Sequence, residues 1–277
     1  MTNRFKLGPT HFIIPDTQCK PGQDNEQLAW IGDYVADKQP DVVVHLGDHW
    51  DMPSLSSYDR GKLKFEGRRY KHDIKAGNDA MRAFWEPIDA MNEQRRINKK
   101  KMYRPRYVFL MGNHEERIAR AIESNFKEFA GEGKDPYRGG MIGYHHLYLD
   151  GWEVHNFLEP IEIDGVHYAH YFYNPMSGHP WGGQASTMLK NIGFSFTQGH
   201  RQGKQSAERH LADGTVHRGL VVGSCYLHDE DYKGPQGNHH WRGCIQKHEV
   251  RAGNYDMMEI SLNFLRERYR IKRAYYY

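Results

Sequence analysis

The sequence predicts an α/β fold, because its first half alternates short apolar runs with helix-period segments and its second half reads as strands joined by turns. Three runs carry the prediction: HFII (11–14), DVVVHLGD (41–48) and YVFLMGNHE (107–115). All three are β-branched or aromatic, short, and closed by Pro, Gly or Asp, as strands are. A helical segment follows each, and the order βαβαβα implies a parallel sheet with helices on its faces.

Each element follows from its residues. HFII stops at Pro15-Asp16 and reads as a buried strand. Segment 25–38 places Leu28, Ile31 and Val35 at helical spacing, and DVVVHLGD, bounded by Pro40 and Gly47, is the second strand. Residues 53–71 have no clean period and are rich in Ser, Gly, Lys and Arg, which predicts a long surface loop. Met81, Phe84, Trp85, Ile88 and Met91 mark a helix that Pro87 should kink. After the third strand, Ile118, Ala121, Ile122 and Phe126 give another helix. The stretch 127–147, with Gly131, Gly133, Gly139, Gly140 and Gly143, reads as a surface excursion. Beyond it, segments near 152–157, 161–172, 193–198, 216–223 and 257–265 read as strands of a second sheet packed on the first, with few helices between. The closing RERYRIKRAYYY reads as strand and surface residues. There is no repeat and no Gly/Ser- or Pro-rich linker, so a single domain over 1–277 is expected.

Bulk composition excludes several classes. A chain of 277 residues with 38% hydrophobic and 26% charged content is ordinary for a soluble protein. It has no apolar stretch of membrane-spanning length, and its N-terminal run FIIP is too short for a secretory signal, so a cytoplasmic protein is expected. Three scattered cysteines without a CxxC pair fit reduced thiols. A net charge of +3 makes no global case for nucleic acid. Eighteen histidines, many beside Asp, Gly or Asn, are more than packing requires and raise metal binding and acid–base chemistry together.

The informative pattern is what ends each run. FIIP leads into Asp16-Thr17-Gln18, VVVHL into Gly47-Asp48-His49-Trp50-Asp51, and YVFLM into Gly112-Asn113-His114-Glu115; VHYA leads into His170 and FSFTQ into Gly199-His200-Arg201-Gln202. Loops beyond the carboxyl ends of parallel strands share one edge, and ligands bind there. Taken singly, Asp16 or Asp48 reads as a helix N-cap, Asn113 as a turn residue and His170 as a core histidine. Five such clusters in order, each after a strand, read instead as a metal site.

These motifs resemble the calcineurin-like metallophosphoesterases, whose pattern runs D-x-H, G-D-x-x-D, G-N-H-[DE], a lone His, then G-H-x-H. The match by order and spacing covers roughly residues 10–205, and its G-D-x-x-D and G-N-H-E elements are its most specific part. PDTQ and GDHWDMPSLSSYD further resemble phage-carried members, whose setting is the host cytoplasm. The resemblance implies a four-layer αββα sandwich of two packed mixed β-sheets flanked by helices, and a dinuclear centre. Carried over position by position, one cation takes Asp16, Gln18, Asp48 and Gln202, and the other takes Asp48, Asn113, His170 and His200. His167 is the competitor for the lone-histidine position. Gln18 and Gln202 stand where the family has imidazoles, which makes the first position all oxygen and suits Mn²⁺ or Mg²⁺ better than Zn²⁺ or Fe. Two divalent cations, Mn²⁺ foremost, are therefore expected, the first bound weakly and the second tightly.

The implied chemistry is phosphoester hydrolysis by a hydroxide shared between the cations, with His114 protonating the leaving oxygen and Asp51 and His49 orienting the site. His45, inside its strand, reads as a packed residue. The basic loop Arg60, Lys62, Lys64, Arg68, Arg69 and Lys71, with Tyr58, Phe65 and Tyr70, reads first as a solvated face; folded over the metals it would favour a nucleotide or nucleic acid. The run Arg95–Lys101 should lie at the opposite edge. Three readings compete: a phosphatase or phosphodiesterase, a nuclease, and a non-catalytic metal or phosphate binder.

Overall fold

A four-residue strand with both faces buried needs a layer packed on each side, and the first two strands are of that kind. The computed structural model describes residues 7–57, 61, 63–131, 135–230 and 233–274. Among these, β1 (His11–Ile14), β2 (Val42–His45), β3 (Arg106–Leu110) and β4 (Glu153–His155) run parallel in one sheet. The hairpin β10 (Gly243–Arg251) and β11 (Asn254–Ser261) joins its other edge antiparallel to β1, in the order β11-β10-β1-β2-β3-β4. The second sheet has the order β5-β6-β7-β9-β8, from β5 (Ile161–Ile163), β6 (Val166–Ala169), β7 (Phe196–Gln198), β8 (Gln205–His210) and β9 (Val216–Val221).

Alternation along the strands sorts the core into layers. Phe12, Ile14, Val43 and Phe109 face the helices α1 (Gln27–Lys38), α2 (Tyr70–Ile97), α3 (Arg117–Ser124) and α7 (Leu262–Ala274). Ile13, Val42, Val44, Val108 and Leu110 face the other way and meet Val166, Tyr168, Leu220 and Val222 of the second sheet. That sheet's outer face packs Phe196 and Val221 against Met188 and Leu189 of α5 (Ala185–Ile192). The expected four layers, with two mixed sheets inside, are present. The short helices α4 (Phe126–Phe129) and α6 (Gly234–Gly237) lie in loops. No helix among the described residues is long and apolar enough to cross a membrane.

The helical layer packs tightly. A Cβ on Gly32 of α1 would stand 2.1 Å from the Phe84 carbonyl of α2, so only glycine allows this approach. The helix α2 begins at Tyr70, earlier than its apolar spacing suggested, and continues through Pro87.

Four parts differ from the sequence expectation. Segments 152–157 and 257–261, expected in the second sheet, supply β4 and β11 at the two edges of the first. Residues 262–274 form a helix and not a strand, because Leu262, Leu265 and Tyr269, three and four apart, bury one face against the first sheet and α1. Strand β8 (QSAERH) is largely exposed and polar, so it lacks alternation. Strand β10 carries Gln246 and Lys247 fully inside, where polar residues masked the pattern. The Lys247 ammonium donates to Thr197 Oγ1 and Tyr168 Oη between the sheets, and burial pushes its pKa well down.

Of the two surface excursions, 53–71 holds short 3₁₀ turns at Pro53–Leu55 and Leu63–Phe65, while Tyr58, Arg60, Lys62, Gly133 and the Lys64 side chain lie outside the described residues. The run Arg95–Lys101 lies near the amino end of β3, at the edge opposite the one described next.

Candidate metal centre

Asp16, Asp48 and Asn113 follow β1, β2 and β3 by two or three residues, and His170 and His200 follow β6 and β7 by one or two. The carboxyl edges of both sheets thus deliver all five to one rim. Backbone hydrogen bonds fasten the first two loops together: Gln18 N donates to Asp48 O (2.8 Å), Cys19 N to His49 O (2.7 Å) and Asp51 N to Cys19 O (3.1 Å). Glu115 fixes the third, its buried carboxylate accepting from the backbone N–H of Asp48 (2.9 Å), His49 (2.7 Å), Trp50 (2.9 Å) and Gly112 (2.8 Å). A Cβ at Gly112 would stand 2.2 Å from Asp48 Oδ1, and one at Gly199 would stand 2.4 Å from Asp16 Oδ1. The motif glycines are therefore set by the proximity of the carboxylates. Gln18 (φ 40°), Asp48 (φ 51°) and His200 (φ 62°) all occupy the left-handed region, a cost that side chains at functional sites often carry.

One oxygen acceptor from Asp48 and a nitrogen from each of His170 and His200 all lie within 4.8 Å of one another. Asn113 Oδ1 sits 2.9 Å from His170 Nε2 and 2.7 Å from His200 Nδ1, and Asp48 Oδ2 is 3.4 Å from His170 Nε2. His170 Nδ1 donates to the Leu46 carbonyl (2.7 Å), which leaves Nε2 with a lone pair in the neutral ring. That nitrogen faces Asn113 and Asp48, and either a cation or a proton on the ring satisfies it. In the bare protein the proton serves: burial disfavours imidazolium, yet Asp48 and Asp16 raise His170 to about 9. Burial and the neighbouring His170 lower His200 to about 4, so it is neutral and able to ligate. The donor set of one carboxylate, one amide oxygen and two imidazoles suits a transition-metal dication. His167, by contrast, packs its ring on Phe194 away from this group.

The neighbouring position is built differently. Asp16 Oδ1 accepts from His200 N (2.9 Å), while Asp16 Oδ2 is buried without a protein partner. Burial, then Asp48, raises the Asp16 carboxyl to about 7. Gln18 and Gln202 face each other, with Gln202 Nε2 donating to Gln18 Oε1 (3.3 Å) and Tyr226 Oη donating to Gln202 Oε1 (2.8 Å).

His114 completes the rim. Its Nδ1 donates to Asp51 Oδ1 (2.7 Å) and Asp51 O (3.0 Å), Arg117 Nη2 donates to its Nε2 (3.1 Å), and Asp48 Oδ2 is 3.8 Å from Nε2. Burial opposes its charged form, but Asp48 and Asp51 outweigh burial and Arg117, so its pKa rises. His49 does not touch the ligand group directly; it accepts from Thr17 Oγ1 (2.8 Å) and donates to Gly77 O (2.9 Å), which anchors the loop between Asp16 and Gln18. His45 packs on Phe109 with its strand.

A cavity of about 800 Å³ opens on the Gln18, Asp51 and His114 side. Lys20, Arg68, Arg69, His72 and Arg117 line it along with Glu66, Asp73, Asp229 and Glu230. The end of the basic loop therefore borders the site and is not merely a solvated face. Lys20 is held between Glu230 (2.8 Å) and Asp51 (3.6 Å). Sequence reasoning gave Glu115 no role and missed Lys20, Arg117 and Tyr226. Arg117 lies three residues after His114, a spacing that a helix start could have flagged; Tyr226 stands in no motif.

Comparison with known proteins agrees with this geometry. The calcineurin-like phosphoesterase family profile matches residues 10–201. The Gene 54 protein of Mycobacterium phage L5 is 40% identical over 76 residues, 27% of this chain and 28% of that protein. The Gene 54 protein of Mycobacterium phage D29 is 37% identical over 79 residues, 28% and 29% respectively. The similarity thus spans under a third of these relatives. One solved crystal structure aligns over 92% of this chain and 100% of its own at 14% identity and a TM-score of 0.32. The chain belongs to the calcineurin-like phosphoesterases.

Proposed function

We propose that the protein hydrolyses phosphomono- or phosphodiesters with two divalent cations, one held by Asp48, Asn113, His170 and His200, the other beside Asp16, Gln18 and Asp48. The observation that carries this is the convergence of Asp48, His170 and His200 ligand atoms within 4.8 Å of one another, with Asn113 Oδ1 2.9 and 2.7 Å from the two imidazole nitrogens. Bound there, divalent cations supply an activated water and neutralise phosphoryl charge. Mn²⁺ or Mg²⁺ suits the oxygen-rich first position.

The chain's own residues do the rest. Asp51 holds His114 by Nδ1, so a protonated His114 presents Nε2–H to the departing oxygen. Arg117, now on that nitrogen, is placed to turn to substrate anion. The cavity on this side has room for a leaving group much larger than water.

His114→Gln tests the acid. On an alkyl phosphoester its kcat should fall by roughly 10²–10⁴, the usual range for a lost general acid. On p-nitrophenyl esters, whose leaving group needs no proton, the fall should be much smaller. Equal losses on both would remove His114 from that role. A panel of bis-aryl phosphate, mono-aryl phosphate and single-stranded DNA with Mn²⁺ assigns the reaction, and no turnover on any of them contradicts the hydrolase reading.

A further inference from the structure

His114 is held by Asp51, and Asp51 is met in turn from the far side of the rim. Asp51 Oδ1 accepts from His114 Nδ1 (2.7 Å), and Asp51 Oδ2 lies 3.6 Å from Lys20 Nζ. Lys20 follows Cys19, whose N–H donates to His49 O (2.7 Å) and whose carbonyl accepts from Asp51 N (3.1 Å), so its backbone is tied to the Asp51 loop. The Lys20 ammonium donates to Glu230 Oε1 (2.8 Å), the oxygen that also accepts from His228 Nε2 (2.8 Å). Glu230 is fixed through its backbone: its N–H donates to Asn238 Oδ1 (2.9 Å) and its carbonyl accepts from Asn238 Nδ2 (3.0 Å), a pairing that admits one amide orientation. A line of side chains, His228, Glu230, Lys20, Asp51 and His114, thus runs from the loop after β9 to the leaving-group side of the cavity. The Lys20, Glu230 and Asp51 side chains are only 17%, 10% and 12% exposed, so their charges are screened much less than surface pairs are.

From this we infer that Lys20 is a positioning residue for the acid step: anchored by Glu230, it fixes the Asp51 carboxylate so that Oδ1 stays on His114 Nδ1 and the ring keeps presenting Nε2 to the leaving oxygen. The inference rests on the reading of His114 as the general acid. A carboxylate whose second oxygen is unheld turns readily about its last bond, and an ion pair on Oδ2 removes that freedom. With Asp51 turned away, His114 Nδ1 keeps only the neutral carbonyl Asp51 O (3.0 Å). The rival role for a cavity lysine is to bind the phosphoryl oxygens directly. Charge argues against it, because Lys20 is one cation between two carboxylates and the three side chains together are negative.

Steady-state kinetics with Mn²⁺ on an alkyl and a p-nitrophenyl phosphoester test it in Lys20→Met, His114→Gln and the double variant. Lys20→Met should lower kcat on the alkyl ester by roughly ten- to a hundredfold, the scale of a misplaced catalytic group, with little change in KM. On the p-nitrophenyl ester, whose leaving group needs no proton, the fall should be much smaller. Added to His114→Gln, Lys20→Met should change kcat on the alkyl ester by no more than about twofold, because a residue that acts only through His114 has nothing left to lose. Glu230→Gln keeps an oxygen on Lys20 but drops the anchoring charge, and should show the same selectivity with a smaller loss. Should Lys20→Met lose its fold by circular dichroism, Glu230→Gln decides alone. Equal losses on both esters, or no loss on the alkyl ester, overturn the inference. So does a double variant in which the two single losses multiply, or a raised KM with kcat kept, the marks of direct contact with substrate. If His114→Gln itself spares the alkyl ester, the acid reading falls and the inference falls with it.

Discussion

Asp48→Asn should reduce kcat/KM by more than about a thousandfold, because a metal that lowers water's pKa from about 15.7 to about 7 is what makes hydroxide available at neutral pH. The substitution keeps the side chain's shape but removes the shared negative charge at the centre. Asp48 Oδ1 accepts from His114 N (2.9 Å), Oδ2 approaches His170 Nε2 and His114 Nε2, and these partners hold its carboxyl well below the usual range despite burial. An asparagine amide there turns either its oxygen or its NH₂ toward those partners and cannot replace the carboxylate toward all of them. Steady-state kinetics with Mn²⁺, alongside circular dichroism to show an unchanged fold, measure the effect. Retention of more than a tenth of wild-type activity would remove Asp48 from the centre.

Glu115→Ala should cost the most stability of any single change at the rim. The carboxylate is fully buried and accepts four backbone N–H groups from two loops. Burial and Asp48 push its pKa up while those donors pull it down, and the geometry is that of an anion in a cage of amides. Removing it strands four buried donors, at about 1–3 kcal/mol for each group left unsatisfied. With partial rehydration of the vacated space, a net loss of about 3–5 kcal/mol is expected. For a chain of this size that lowers Tm by at least about 6 °C, at roughly 2–4 °C per kcal/mol. Differential scanning calorimetry reads it. A shift under about 2 °C would mean that other contacts hold the Asp48 loop.

These two residues also show what was legible in the sequence. Asp48 was readable because a ligand must follow a strand at the shared edge, and VVVHLGD marks both strand and edge. The first three strands were readable for a related reason: β1, β2 and the last three residues of β3 are buried, and their core-facing residues are almost all apolar. Glu115 was visible as a motif letter, but its cage of N–H donors exists only once β2 and β3 are side by side. Strand β10 was hidden because its core positions hold Gln246 and Lys247: the Lys247 ammonium finds partners fifty or more residues away, and Gln246 Nε2 reaches only the next backbone carbonyl while its Oε1 is buried without a protein partner. The last helix was hidden by charge, its buried face of Leu262, Leu265 and Tyr269 lying in a strongly basic segment. Tyr226 illustrates the same limit at the site, since its partner Gln202 is 24 residues away and only the loop after β9 brings the two together.

The central claim is that side chains from four strand ends grip a cation. Anomalous scattering from crystals of protein purified without added metal tests it most directly. The strongest peak is predicted within about 2.0–2.3 Å of Asp48, Asn113, His170 and His200 ligand atoms, with a weaker or absent peak beside Asp16 and Gln18. No peak among those four residues after soaking in Mn²⁺ and Zn²⁺ would contradict the account, and full zinc occupancy at both positions would contradict its assignment of the oxygen-rich one.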